Sequence, residues 1–174
     1  MSHLEYTTLD STNIEEVIKY ERSLYRAFSN TDIKTLDAIW DFDKRHKRLR
    51  TKIPYPSQEV YIAKLDGAII AGAAINFNMD EKLQLETFGF SVDKTGKHIC
   101  EGLGIFSLQV FSGLNPVALQ LRDTSYDILR GKGIKKVYGT CSQRRLRGYQ
   151  IQGFTAIDEL VFRGEKKYLL MTDI

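Results

Sequence analysis

The sequence has 174 residues, of which 43% are apolar, and its formal net charge is +3. This length and apolar share predict a single globular domain spanning residues 1–174, and they argue against disorder. The mild charge gives no general argument for nucleic acid binding, and no apolar run is long enough to cross a membrane. Because the two cysteines, Cys100 and Cys141, and the three histidines show no disulfide or metal-ligand spacing, we expect a cytoplasmic protein without a metal.

The N-terminal part of the chain predicts one strand followed by two helices. Leu4–Leu9 is a threonine-rich strand candidate, and Thr12 and Glu15 have the spacing of a capping box for the first helix. Helical spacing of apolar residues predicts a second helix from about Thr31 to Arg48. It ends in the basic run Lys44–Lys52, which we expect to be solvated rather than a nucleic acid site.

The middle of the chain predicts a hairpin and then a strand that leads into a helix. Asp66-Gly67 lies between two apolar runs and is typical of a type I′ turn. Leu83–Val92 is predicted as an additional β-like run, and Ile99–Val110 as a strand. Asn115-Pro116 has the form of an N-cap followed by proline at the first helical position, and Gly131 marks the end of that helix.

The C-terminal part predicts a strand at Lys136–Cys141, a short helix at Ser142–Gln152 and two strands around Arg163-Gly164. A helix connects the strand before it to the one after it, so these two strands should be parallel, whereas the hairpins make the other pairs antiparallel. The resulting order, β-α-α-β-β-(β)-β-α-β-α-β-β, predicts the α/β (α+β) class: a mixed sheet with helices on both faces.

This order, with its final Tyr149-x-x-x-Gly153-Phe154, resembles the GNAT superfamily of N-acyltransferases from about Glu59 to the C-terminus. The resemblance implies a mostly antiparallel central sheet with one parallel pair splayed at its centre, and an acceptor side covered by the first two helices. It also implies that the protein moves an acetyl or other acyl group from acyl-CoA to a primary amine. The amine, on a small molecule or a protein, would attack directly in a ternary complex.

The phosphate-binding loop of that family, R/Q-x-x-G-x-G/A, aligns with Val110–Asn115, where Gly113 matches the middle glycine. Val110 stands in place of the basic or amide residue, and Asn115 in place of the last small one. Backbone N–H groups at a helix N-terminus bind phosphate whatever the side chains are, so the loop can still function. The resemblance implies these cofactor-binding residues for acyl-CoA: Phe106, Ser107, Leu108, Ser112, Gly113, Leu114, Asn115, Ser142 and Arg145.

Two residues receive catalytic roles from the resemblance. The phenol of Tyr149 would lie between the splayed strands and protonate the departing thiolate; its ring could instead pack on the last strands. Glu101, early on the strand that lines the site, would act as a general base through water, although it could be a paired carboxylate and the amine could lose its proton to solvent. Gly102 and Gly104 suit a bulged strand at the site.

Other hypotheses stay open. The altered loop and the basic residues Arg144, Arg145 and Arg147 favour an acyl carrier protein as donor, with a longer acyl chain. The substitutions at Val110 and Asn115 favour a non-catalytic binding module with the same fold. A strand added at the sheet edge would offer a surface for a homodimer.

Overall fold

A seven-stranded mixed sheet organises the part of the chain that the computed structural model describes, which is residues 3–30, 33–108 and 115–174. The strand order is β1-β4-β5-β6-β7-β9-β8, and β2 and β3 form a separate hairpin. The elements are β1 Leu4–Thr8, α1 Ile14–Phe28, α2 Ile33–Leu36, β2 Trp40–Asp43, β3 Arg48–Thr51, β4 Gln58–Leu65, β5 Ala68–Asn76, α3 Gln84–Phe88, β6 Ile99–Ser107, α4 Pro116–Gly131, β7 Lys136–Ser142, α5 Gln143–Ile151, β8 Thr155–Phe162 and β9 Glu165–Asp173. Among the described residues, none of the helices combines the length and the apolar character that crossing a bilayer would require.

The predicted fold class is confirmed. Strands β6 and β7 are parallel, and the other neighbouring strands are antiparallel. The parallel pairing is short: it begins with Ile99 opposite Lys136 and ends with Glu101 opposite Tyr138. Beyond this point β6 continues along β5 and β7 continues along β9, so the two strands separate. The splayed parallel pair at the centre of the sheet is therefore present.

A β-bulge lies on β6 where the two strands begin to separate. Ala74 of β5 pairs with Gly104, whereas the next residue, Ile75, pairs with Gly102. Leu103 is therefore an extra residue on β6. A bulge bends its strand and increases the local twist, which directs β6 away from β7. The distortion predicted at Gly102 and Gly104 is confirmed.

Helices cover both faces of the sheet because side chains alternate between its two sides. On one face, residues of α1 and α3 pack with the sheet residues Val60, Ile62, Leu103 and Leu169. On the other face, residues of α4 pack with Tyr61, Ala63, Ala71, Cys100 and Val137. Each fully buried Leu, Ile, Val or Phe contributes about 1.5–3 kcal/mol relative to an exposed one. These two layers hold the separated strands from both sides.

One predicted turn and one predicted helix cap are confirmed, whereas a second predicted cap is replaced by a neighbouring residue. Asp66 and Gly67 have φ angles of +51° and +82°, as the predicted type I′ turn requires. Asn115 caps α4, as predicted. Helix α1, however, is capped by Asn13 rather than by Thr12, because the Asn13 side chain accepts a hydrogen bond from the backbone N–H of Glu16.

The predicted second helix from Thr31 to Arg48 is wrong. Its described part contains only the single turn α2 and then the β2–β3 hairpin. Asp43 accepts a hydrogen bond from the backbone N–H of His46 at 3.0 Å, which stabilises the reversal of the chain. The basic run therefore lies on a hairpin, where Arg48 forms an ion pair with the buried Glu21.

The predicted β-like run Leu83–Val92 is also wrong, since it contains α3. The first two N–H groups of this helix, those of Gln84 and Leu85, donate to the carboxylate of Glu101 at 3.0 and 2.7 Å. Gly89, at φ +103°, ends the helix. A carboxylate supplied by a distant strand thus stabilises a helical turn in a segment whose apolar residues alternate as in a strand.

Candidate active site

The separation of β6 and β7 opens a cleft on each face of the sheet. The first, which we name the polar cleft, lies beside α1 and contains about 560 Å³ of space including its open mouth; its walls include Phe28, Trp40, Gln84, Arg145, Glu165 and Lys167. The second, which we name the apolar cleft, lies beside α4 and contains about 550 Å³; its walls include Ala73, Ile75, Ile105, Tyr126, Gln152 and Leu170. Leu103, Gly104, Thr140 and Tyr149 line both clefts. The two spaces therefore meet where the strands part.

A hydrogen-bond network fixes one wall of the polar cleft. The indole N–H of Trp40 donates to Oε1 of Gln84 at 3.0 Å, and Nε2 of Gln84 donates to the carbonyl oxygen of Leu103 at 3.0 Å. Leu103 is the bulged residue, so its carbonyl oxygen finds its partner in a side chain. The Trp40 ring lies so close to Gly104 that a Cβ there would come within 3.1 Å of it. The bulge and the ring thus hold each other in position.

The polar cleft contains two cationic side chains. The half-buried guanidinium of Arg145 lies 4.2 Å from the ring centroid of Phe28, and burial lowers the pKa of Arg145. Lys167 is only 3% exposed; its Nζ donates to Oγ1 of Thr35 at 2.7 Å and lies 3.1 Å from a carboxylate oxygen of Glu165. Among the described residues that line this cleft, Glu165 is the one carboxylate beside the two cations, so the summed charge of these lining residues is positive.

The apolar cleft has mostly aliphatic walls but contains two buried polar atoms. The hydroxyl of Tyr126 and Oε1 of Gln152 are both buried and form no hydrogen bond of ordinary length and angle within the described part of the chain, although the side chain of Thr172 lies close enough to the tyrosine hydroxyl to act on its pKa. Burial raises the pKa of Tyr126 to about 12, so its hydroxyl is protonated and can donate. A buried polar atom without a partner costs about 1–3 kcal/mol. A bound ligand with amide groups would satisfy both atoms.

Tyr149 lies at the junction of the two clefts. It follows Arg145 by four residues, so the two side chains share one face of α5. Its ring meets that of Phe154 edge-on, with the centroids 5.6 Å apart. Burial raises the pKa of Tyr149 to about 12, so the phenol keeps its proton at neutral pH. The geometry is suitable for donating a proton to a group held between the strands, and the predicted role as general acid stays a prediction.

Glu101 lies outside both clefts. It is 1% exposed, and its carboxylate accepts hydrogen bonds from the N–H groups of Leu85 and Gln84 and from Nδ2 of Asn76. Burial raises the pKa of Glu101, while these three hydrogen bonds favour its ionised form. The contacts give the carboxylate a structural role, since they hold α3 against β6. Its predicted role as general base stays a prediction.

Several predicted cofactor-binding residues lie away from the clefts. Phe106 is buried and packs near Tyr20, with ring centroids 6.1 Å apart. Ser107 is the last residue of β6, and the backbone N–H of Leu108 donates to the carbonyl oxygen of Ile70 at 2.7 Å. None of the three lines the polar or the apolar cleft within the described residues.

The predicted phosphate loop is only partly described. Ser112, Gly113 and Leu114 lie outside the described residues. Asn115 caps α4, where its side-chain oxygen accepts hydrogen bonds from the N–H groups of Val117 and Ala118, both at 3.1 Å. Two of the donors that a helix N-terminus offers to a phosphate are therefore already used.

The other two predicted cofactor-binding residues, Ser142 and Arg145, both line the polar cleft. They approach the α1 face of the sheet, which the resemblance assigns to the acceptor. Cys141 also lines this cleft, and burial raises the pKa of its thiol to about 12, so it is not a thiolate nucleophile at neutral pH. Both cysteines are free and buried. The described residues contain no group of three or more His, Cys, Asp or Glu that could hold a metal ion.

Sequence reasoning missed five residues of the clefts: Trp40, Gln84, Tyr126, Gln152 and Lys167. Trp40 lies within the predicted second helix, and Gln84 lies within the predicted β-like run. Tyr126 belongs to helix α4, where its spacing is that of an apolar position facing the sheet, and that face borders the cleft. A signal was present for Lys167, because Glu165 and Lys167 are two residues apart in a predicted strand and must share one face.

Comparison with solved structures defines the class of fold. The CoA-dependent acyl-homoserine lactone synthase BjaI, solved with SAM and isopentyl-CoA, matches with a TM-score of 0.73 and 12% identity over 100% of this chain and 84% of that one. The acyl-homoserine lactone synthase LasI matches with a TM-score of 0.73 and 9% identity over 99% of this chain and 90% of that one. An acetyltransferase of the GNAT family from Streptococcus pneumoniae matches with a TM-score of 0.62 and 14% identity over 99% of this chain and 100% of that one.

The chain therefore has the GNAT fold, and the resemblance predicted from the sequence is confirmed at that level. No protein-family model matches the sequence, and no curated protein matches it. Identities of 9 to 14% show a shared fold rather than a shared activity.

Proposed function

We propose that this protein is an N-acyltransferase that moves an acyl group from a pantetheine thioester to a primary amine. One observation carries the proposal: two clefts on opposite faces of the sheet meet between the splayed strands, and Tyr149 lines both of them. Two substrates that enter from opposite faces would meet at this phenol. Such an arrangement supports direct transfer in a ternary complex, because it brings the reacting groups together without a covalent enzyme intermediate.

The donor is assigned to the apolar cleft. A pantetheine arm combines alkyl segments with two amide groups, and this cleft combines aliphatic walls with two buried polar atoms that lack a full hydrogen bond, the hydroxyl of Tyr126 and Oε1 of Gln152. The tyrosine hydroxyl can donate to an amide carbonyl, and the glutamine oxygen can accept from an amide N–H. Beyond Glu101 and Tyr138, the strand edges that face the gap also have no parallel partner among the described residues.

The chemistry needs one proton donor at the junction. The amine nitrogen attacks the thioester carbonyl carbon, an amide C–N bond forms and the C–S bond breaks. Tyr149 donates its phenolic proton to the departing thiolate and is reprotonated from solvent, while the amine loses its proton to solvent. We assign no side chain as an obligatory base, since Glu101 faces neither cleft.

Acyl-CoA, acetyl-CoA included, is the first candidate donor. It is supported by the similarity of the fold to an enzyme solved with isopentyl-CoA and to GNAT acetyltransferases. An acyl carrier protein is the second candidate. It is supported by Arg144 and Arg147, which are exposed on α5 without an ion pair among the described residues, and by the use of two α4 N–H groups in the Asn115 cap.

Ligand-induced stabilisation and thiol release test the proposal together. The protein is melted with acetyl-CoA, hexanoyl-CoA, free coenzyme A and hexanoyl-carrier protein, where a ligand at 100 times its Kd adds about 2.7 kcal/mol. Each donor is then mixed with a panel of primary amines that includes S-adenosylmethionine, and amine-dependent release of thiol is measured. We expect stabilisation and release with at least one donor. Stabilisation without release would identify a non-catalytic binding module, and neither effect with any donor would contradict the proposal.

A further inference from the structure

We infer that the polar cleft contains a carboxylate-binding site centred on Arg145 and supported by Lys167, so that the acceptor is an amine that also bears a carboxylate, such as an α-amino acid. The acyl transfer to this acceptor rests on the function proposed above. The carboxylate site itself rests on contacts within the polar cleft, and direct binding can test it without any turnover.

Arg145 is the central residue of the proposed carboxylate site. Its guanidinium is half-buried and stacked on Phe28, and it has no hydrogen bond or ion pair with any described residue. Elsewhere, Arg48 pairs with Glu21 and Arg163 pairs with Asp37. A stacked guanidinium keeps its N–H edges free, and these edges fit a carboxylate through two parallel hydrogen bonds. A partly desolvated cation without a partner points to an anionic ligand.

Lys167 is the second cation of the cleft, and its contacts determine the charge balance there. Two of its three N–H donors are engaged by Thr35 and Glu165, and its charge is balanced by that glutamate. The described residues lining the cleft thus include two cations but only one carboxylate, and the unbalanced charge is that of Arg145. One carboxylate on the ligand would neutralise the cleft.

The remaining walls define the body of the acceptor. Apolar and aromatic side chains line the cleft around Arg145: Phe28, Leu36, Ile39, Trp40 and Phe88. They fit an apolar side chain rather than a sugar or a polycation. Arg145 and Tyr149 are four residues apart on α5, or about 6 Å along its axis. A carboxylate held by Arg145 would therefore place a neighbouring amine close to the phenol at the junction.

A phosphate of the donor is the other anion that Arg145 could bind. The stack of Arg145 on Phe28 places its guanidinium on the α1 side of the sheet, which favours the acceptor, whereas its side chain also borders a surface groove with Ile105 and Gln152 of the apolar cleft. The experiment separates these two sources by comparing coenzyme A with dephospho-coenzyme A.

The test uses amines that differ only in the carboxylate. Binding to the full chain is measured by calorimetry for L-phenylalanine, L-leucine and L-methionine, and for phenethylamine, isoamylamine and 3-(methylthio)propylamine. For at least one pair we expect the acid to bind about tenfold tighter or more, as charge-assisted hydrogen bonds predict. Arg145→Met should reduce this preference below twofold, and Arg145→Lys should keep part of it. The control variant Lys166→Met removes an exposed charge next to Lys167 on β9, and it should leave the preference for the acid unchanged.

The outcomes separate this inference from the proposed function. If no acid binds better than its amine to the wild-type protein, or if Arg145→Met weakens both members of a pair equally, the carboxylate site is wrong. If Arg145→Met weakens coenzyme A more than dephospho-coenzyme A, the arginine serves the donor and the inference is overturned. If the preference is present but no donor transfers its acyl group, the proposed function fails while the carboxylate site stands.

Discussion

The two clefts beside the splayed strands lie on opposite faces of one sheet, and they differ in what a bound ligand would have to supply: charge in one cleft and hydrogen bonds in the other. In the polar cleft the side chains of Trp40, Gln84 and Lys167 are already hydrogen-bonded, and what is unbalanced is charge. In the apolar cleft the one cation among the described lining residues, Arg122, is paired with Asp123, and what is incomplete is the hydrogen bonding of Tyr126 and Gln152.

Under the proposed function, this difference assigns one substrate to each cleft. An excess of positive charge would favour a small anionic molecule, whereas neutral donors and acceptors without full hydrogen bonds in an aliphatic wall would favour an amide-containing chain. In the proposed function both substrates would reach Tyr149, because the parallel pairing of β6 with β7 stops after Glu101 and Tyr138. Three substitutions test this difference. They change Glu101, which supports one wall of the polar cleft, Tyr149, where the two clefts meet, and Tyr126, in the wall of the apolar cleft.

Removing the support of the polar cleft should have the largest effect. Glu101→Ala leaves the buried N–H groups of Gln84 and Leu85 without their acceptor, at about 1–3 kcal/mol for each unsatisfied group. We expect the free energy of unfolding to fall by about 2–4 kcal/mol in urea denaturation. A matched control is Glu159→Ala, which removes an exposed carboxylate that pairs with Lys166 and does not contact α3. A variant of full stability whose kcat is lowered a hundredfold would instead make Glu101 a catalytic base.

Removing the proposed general acid at the shared junction should affect the rate rather than the stability. Tyr149→Phe deletes the phenolic proton but keeps the ring against Phe154. Because a general acid contributes about 10²–10⁴ in rate, we expect kcat to fall at least tenfold and by about a hundredfold if protonation limits turnover. The melting temperature and donor binding should change little. Tyr168→Phe, in the same apolar cluster but outside both clefts, is the control. An unaltered kcat in Tyr149→Phe would remove this residue from the mechanism.

The sequence was informative where local chemistry determines the structure. The turn at Asp66-Gly67, the cap at Asn115 and the crossover to a parallel strand each depend on residues close together in the chain, and each was predicted correctly. The glycines at 102 and 104 also indicated the bulge, because a distorted strand needs a small residue.

The sequence was misleading where a distant group decides. Leu83–Val92 alternates like a strand, but the carboxylate of Glu101 stabilises the first turn of α3. Trp40 follows helical spacing, but its indole N–H bonds to Gln84, 44 residues away. The clefts depend on such contacts. A motif singled out Tyr149, and Arg145 was also predicted to bind a ligand, but the meeting of Arg145 with Lys167 and Glu165 in one cleft depends on the packing of α5 against the sheet.

The smallest expected effect distinguishes the apolar cleft from an ordinary core. Tyr126→Phe removes a buried hydroxyl that forms no hydrogen bond of ordinary geometry among the described residues and has Thr172 as a weak neighbour, so the protein without ligand should lose little or no stability. If the hydroxyl donates to the donor substrate, its loss should raise the KM for that substrate about 2- to 10-fold, which corresponds to a net hydrogen bond of about 0.5–1.5 kcal/mol. Tyr61→Phe is the control, because its hydroxyl is also buried and also forms no hydrogen bond of ordinary geometry, with Glu59 as its nearby polar neighbour, but it lies outside the apolar cleft. If Tyr126→Phe raises the KM without a matching loss of stability, and Tyr61→Phe leaves the KM unchanged, the donor binds in this cleft. Equal KM values in the two variants would exclude the Tyr126 hydroxyl from donor binding.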